Sequence, residues 1–280
     1  MPTLRVDNAT SEAVDIHYLD AGERNARPVV LIHGWPLSHR MWEHQIAALT
    51  EAGYRVIAYD RRGFGASSQP WTGYDYDTLA DDLDGLMTGL ALRDAVLLGF
   101  SMGGGEVARY LGRHGSDRVA AALFVAAVPP YLLKGEDNPD GVDASVFEEM
   151  KSGVKQDRVG FLTDFGRQFV NHGDDAPTVS QAVLSYCHTI ASFASPKGTL
   201  DCITAFAETD FRGDLDRIDV PTLVIHGDAD GIVPLEVSGQ RTHDRVEGSR
   251  LEVVSGAPHG LNFTHPDELN RLMLEFIGSL

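Results

Sequence analysis

Gly99-Phe100-Ser101-Met102-Gly103 is the segment of this chain best suited to chemistry. A G-x-S-x-G pattern alone is a weak signal in a sequence with 29 glycines. Its flanks make it specific. The apolar run Ala95-Val96-Leu97-Leu98 leads into it, and Gly103-Gly104-Gly105-Glu106-Val107-Ala108 opens a helical pattern after it. A strand-to-helix turn this sharp strains the backbone of its Ser, and flanking glycines avoid clashes. The Ser oxygen then stands at a sheet edge beside a helix N-terminus. A Ser that merely caps a helix is the weaker explanation.

Ser is a poor nucleophile unless a base takes its proton. Folds with such an elbow run Ser, acid, His along the chain. The chain has 11 histidines, His226, His243 and His265 among them, and only position separates them. His259, in Ala257-Pro258-His259-Gly260, lies just past the last strand-like run and can reach back over the sheet edge. For the acid, His226-Gly227-Asp228-Ala229-Asp230-Gly231 offers two aspartates. Asp228 is nearer the strand end, where it suits a turn. Asp230 lies further into the loop and is better placed to orient a His ring and stabilise its imidazolium. Acyl transfer also needs donors for the developing oxyanion. The backbone N–H of Met102 is one. The second falls in His33-Gly34-Trp35-Pro36; Pro36 has no N–H, which leaves Trp35.

These loops need a scaffold. Thr3 to Asp20 alternates apolar and polar residues around Asn8-Ala9-Thr10-Ser11 and reads as a hairpin. Short, solidly apolar runs follow at 29–32, 55–59, 95–98, 121–125 and 222–225, with a more polar one at 251–254. Such runs are strands buried on both faces. Helical patterns separate them at 41–52, 78–90, 103–113 and 266–277, with Thr78 and Asp81 as a capping pair. The alternation predicts an α/β fold with a mostly parallel sheet covered on both faces. Between 129 and 219 no buried-strand run occurs; helical patterns lie at 145–153, 158–170 and 180–192. The expected organisation is a core of 1–128 and 220–280 with 129–219 inserted as a helical cap, or lid, over the sheet's carboxyl edge.

Composition bounds the partners. The net charge of -18 argues against nucleic acid and anionic membranes. The longest apolar stretch, Val119 to Val128, is too short to span a bilayer. The N-terminal residues show no apolar signal region, so a cytoplasmic location is expected. A disulfide between Cys187 and Cys202 is not expected in that compartment. No Cys/His cluster has zinc-ligand spacing, and no metal or cofactor is expected.

The sequence resembles the cofactor-free, non-haem haloperoxidase and aryl esterase group of the α/β-hydrolases. The matching stretches are 33–37, 53–65, 73–78, 99–110, 204–212 and 257–260, which cover nearly the whole chain. The resemblance implies a catalytic triad of Ser101, Asp230 and His259, an oxyanion hole on the Trp35 and Met102 backbones, and no metal or haem. It implies a serine esterase for small carboxylic esters, with a perhydrolase side activity in which hydrogen peroxide attacks the acyl-enzyme. Gly260-Leu261-Asn262 stands where several relatives carry bulkier apolar residues, so pocket shape departs from the pattern. A lactamase or amidase on the same triad, or a small-molecule receptor keeping the fold, are the rival readings. A carboxylate-nucleophile enzyme is excluded by Ser at 101. The sequence leaves the natural substrate and the oligomeric state, homo-oligomer included, open.

Only four lysines occur, Arg supplies nearly all positive charge, and Asp outnumbers Glu. Such a surface is either merely acidic or halophilic, built for salt that screens its self-repulsion. On the halophilic reading, stability and activity rise from low to molar salt. Equal melting temperatures and turnover in both leave the merely acidic enzyme.

Overall fold

A computed structural model describes residues 2–7 and 12–280 of the chain. Eight strands form one sheet: β1 (Thr3–Val6), β2 (Val14–Ala21), β3 (Pro28–Ile32), β4 (Arg55–Tyr59), β5 (Ala95–Phe100), β6 (Val119–Val125), β7 (Thr222–Gly227) and β8 (Arg250–Val254). Their spatial order is β1-β2-β4-β3-β5-β6-β7-β8. β1 and β2 pair antiparallel, as does β2 with β4; every other pairing is parallel. The expected hairpin is therefore present, while its turn at Asn8 to Ser11 falls outside the described residues. β3, β5 and β7 are buried at every position, as their unbroken apolar runs demand.

Among the described residues the α-helices are α1 (Glu43–Glu51), α2 (Tyr76–Gly89), α3 (Met102–His114), α4 (Ala144–Phe169), α5 (Gln181–Ser192), α6 (Pro196–Glu208), α7 (Arg212–Leu215), α8 (Gly239–Arg245), α9 (Leu261–Thr264) and α10 (Pro266–Ile277). α1 packs with α9 and α10, while α2, α3, α7 and α8 form a second contiguous row. These rows lie over the two faces of the sheet. A short 3-10 turn, His39–Trp42, precedes α1. It takes up the first residues of the pattern expected at 41–52.

One local expectation is corrected. The cap of α2 is Asp75, whose carboxylate accepts from the Thr78 N–H at 2.9 Å. Thr78 is inside the helix, and Asp81 pairs with Arg113 and His114 instead. The patterns at 145–153 and 158–170 are both present as the two helical arms of α4, separated where Asp157 leaves helical geometry (φ -153°, ψ 88°). α6 was not anticipated as a helix. Ser195 caps it and Pro196 opens it, both ordinary start signals. Cys187 and Cys202 are free and buried, and burial pushes both thiols up to about 12. None of the described helices is long and apolar enough to cross a membrane.

Beneath the carboxyl edge lies a buried ion pair. Arg61, just past β4, is bonded through its guanidinium to Glu106 on α3, and Tyr59 donates to the other Glu106 oxygen at 2.7 Å. The same guanidinium donates to the His33 carbonyl at 2.6 Å, and the Arg61 N–H donates to His33 Nε2 at 3.0 Å. Burial pushes His33 down to about 3, with the Arg61 charge adding to it, so the ring is neutral and accepts. β4, α3 and the loop after β3 are thus pinned to one another. Glu106→Ala strands a buried guanidinium, which costs about 3–5 kcal/mol. Urea denaturation should show that loss as a lower midpoint with an unchanged slope.

Candidate active site

Ser101 adopts φ 53° and ψ -120°, a conformation L-residues rarely enter. Its surroundings enforce this. The Ser101 N–H donates to the Val125 carbonyl at 2.9 Å, continuing the β5–β6 ladder, while α3 begins at the next residue. The turn then folds back on itself so closely that a Cβ on Gly99 would lie 2.4 Å from the Gly103 carbonyl oxygen. One on Gly103 would lie 2.4 Å from the Ile32 oxygen. Only glycine fits at either position, which is the physical content of the pentapeptide.

The loop after β8 carries His259, and the loop after β7 carries Asp230. Ser101 Oγ donates to His259 Nε2 at 2.9 Å, and His259 Nδ1 donates to Asp230 Oδ2 at 2.7 Å. The ring is held edge-on against Phe169 and tilted against Phe100, each 5.1 Å away between centroids. The Gly260 N–H donates to the Phe169 carbonyl at 2.6 Å, which fixes the His259 loop to the end of α4.

Asp230 is nearly enclosed. Its Oδ1 accepts from the backbone N–H groups of Ile232 (2.9 Å) and Val233 (2.8 Å). Burial alone would raise this carboxyl; the charge of His259 and hydrogen bonds from His226 and His259 outweigh it and hold the group well below the usual carboxylate range. The stability this brings is present above the ordinary carboxylate pKa and is lost only as pH falls through the lowered one. Asp228, the competing acid, faces away: its Oδ1 accepts from the Gly256 N–H at 2.6 Å and ties the β7 loop to the β8 loop.

Trp35 and Met102 both border Ser101. The Trp35 indole donates to the Thr199 carbonyl at 3.0 Å and packs edge-on against Phe165 and Phe206. Among the described residues neither the Trp35 N–H nor the Met102 N–H is taken up by a protein acceptor, which leaves both for a ligand. The space above Ser101 is about 50 Å³. It is walled by apolar side chains, among them Val128, Phe147, Met150, Phe165 and Ile232, with Ser101 and His259 as its polar members.

Sequence reasoning missed several contributors. His226 Nε2 donates to the Val233 carbonyl at 2.8 Å and lies 3.3 Å from Asp230 Oδ2, so it braces the acid's loop. Its place at the end of a buried strand, four residues before the acid, was the available signal. Arg61 and Glu106 were visible only as charges in otherwise apolar or glycine-rich surroundings. Phe100 and Phe169 carried no signal beyond being apolar. One group of potential metal ligands comes together among the described residues, His17, His39 and Asp60, and none of them lines the Ser101 cavity.

Comparison with known proteins agrees with this architecture. The profile of the alpha/beta hydrolase fold family matches residues 27–266. The crystal structure of a bromoperoxidase from Bacillus anthracis superposes with a TM-score of 0.94 at 52% identity, covering 99% of this chain and 100% of that one. The non-heme chloroperoxidase CPO-A1 of Kitasatospora aureofaciens is 43% identical over 96% of this chain and 98% of its own length. A bifunctional esterase/perhydrolase of Acinetobacter calcoaceticus is 38% identical, again over 96% and 98%. The elbow at Ser101, the parallel sheet behind it and these relatives together show that the chain belongs to the α/β-hydrolase fold family, within its group of non-heme haloperoxidases and esterases.

Proposed function

We propose that this protein is a serine hydrolase of small carboxylic esters that works through an acyl-enzyme, with perhydrolysis as a side activity. The observation that carries this reading is the hydrogen-bonded series Ser101–His259–Asp230, at 2.9 and 2.7 Å, at the floor of a small apolar cavity. Ser101 Oγ attacks the ester carbonyl as His259 Nε2 takes its proton. The tetrahedral oxyanion is stabilised by the Trp35 and Met102 N–H groups. The alcohol leaves with the proton from His259. Water then attacks the acyl-enzyme, gives its proton to His259 and releases the acid, with Ser101 recovering its proton. Hydrogen peroxide in place of water releases a peracid, an oxidant for halide. No step calls on a metal or cofactor.

Substrate size follows from the cavity. The cavity above Ser101 is small, about 50 Å³, which favours a short acyl group. The apolar wall favours an uncharged acyl part. We read residues 129–219 as the cap: Phe147 and Met150 of α4 and Phe206 of α6 supply the outer wall. The bifunctional relative supports both activities on one site. Two buried free thiols suit a reducing cytoplasm.

The test is hydrolysis of 4-nitrophenyl acetate. Ser101→Ala should lose turnover by orders of magnitude. Asp230→Asn should lower kcat about 10³–10⁴-fold, because the imidazole loses its orienting acceptor, whereas Asp228→Asn should stay within a few-fold. Wild type and Ser101→Ala turning over equally slowly sinks the esterase reading. An Asp228 variant as impaired as the Asp230 one reassigns the acid.

A further inference from the structure

A second cavity, of about 390 Å³, lies apart from the Ser101 site. His17, His39 and Asp60 face it together with Ser38, Tyr186 and Thr189, and none of these residues borders Ser101. His17 belongs to β2, His39 opens the 3-10 turn after β3, and Asp60 is the first residue beyond β4. Three distant stretches of chain supply the cluster, so no spacing in the sequence announces it. One nitrogen of each ring and one Asp60 oxygen all lie within 4.8 Å of one another.

Asp60 is held firmly. Its Oδ1 accepts from the His39 backbone N–H at 2.8 Å and from His39 Nδ1 at 2.7 Å, and its Oδ2 accepts from the Ala66 N–H at 2.8 Å. A His–Asp pair that merely locks a turn would account for these bonds. It does not account for His17. The His17 backbone donates to Ser67 Oγ at 2.8 Å, yet among the described residues its ring nitrogens take no hydrogen bond.

We propose that His17, His39 and Asp60 form a binding site for one divalent transition-metal cation of the zinc class. Two imidazoles and a carboxylate are the donor set such ions prefer. Tetrahedral ligands at zinc distances stand about 3.3 Å apart, against a present spacing of up to 4.8 Å. Binding exchanges the His39–Asp60 hydrogen bond for metal bonds. The remaining coordination position opens to the cavity, where water can occupy it. Arg40 on the cavity wall opposes a cation, and the chain's net charge of -18 favours one. The ion would join β2, the turn after β3 and the end of β4.

Calorimetric titration of the chelator-stripped full chain with Zn²⁺ tests this, alongside His17→Phe and His39→Gln. Wild type should bind one equivalent saturably, and each variant should bind at least tenfold more weakly. Zn²⁺ should raise the melting temperature of wild type and not of His17→Phe. Co²⁺ should give wild type, but not His17→Phe, an intense visible band of tetrahedral coordination. Ester hydrolysis by His17→Phe should match wild type without metal. Because the His17 ring holds no hydrogen bond among the described residues, its variant decides the matter even if His39→Gln fails to fold. Absence of saturable binding by wild type overturns the proposal, and so does undiminished binding by His17→Phe.

Discussion

The backbone of Ser101 is the constraint on which the site depends. A non-glycine residue at φ 53° and ψ -120° costs on the order of 1–3 kcal/mol. It persists because a strand ladder fixes one side and α3 fixes the other, with glycines at 99 and 103 allowing the backbones to touch. The fold holds Ser101 in a conformation that an isolated chain would leave. What the strain gains is exposure: Oγ stands clear of the sheet, within hydrogen-bonding distance of a ring delivered by a different loop.

Charge is arranged in two layers around that oxygen. Nearest are Asp230 and His259, where backbone donors and a neighbouring imidazole keep the acid ionised despite burial. Beneath them are Arg61 and Glu106, which never meet the cavity. Their contact with the His33 carbonyl and ring fixes the approach to Trp35. A loop that must present an N–H to a ligand cannot spend its own groups on itself, so its rigidity is supplied from below.

Most of this architecture was legible in the sequence because strands buried on both faces have a plain signature. The runs at 29–32, 55–59, 95–98, 121–125 and 222–225 each mark a strand, with ends displaced by a residue or two. The hydrogen-bonded series Ser101–His259–Asp230 was legible for a related reason: Ser101 and Asp230 each follow one of those runs, and His259 follows the more polar one at 251–254. Helix boundaries were harder. Asp75 lies outside the apolar stripe of α2, so periodicity pointed past it to Thr78. The break at Asp157, by contrast, was legible, because the patterns at 145–153 and 158–170 stop and restart on either side of it. Contacts built from residues far apart, such as Arg61 with Glu106 or His17 with Asp60, leave no local trace and emerge only when the sheet assembles.

The bend at Asp157 divides α4 into arms with different tasks. The first carries Phe147 and Met150, which touch only the outer wall of the cavity. The second carries Phe165 and Phe169, packed against Trp35 and His259. A helix without the bend would couple them rigidly, and any change in wall shape would rotate the residues that seat the base. With it, selection can rework the outer wall on the first arm while Phe169, seated against His259, stays fixed on the second. Variation among descendants of such a scaffold is then expected to concentrate before residue 157 and to thin out after it.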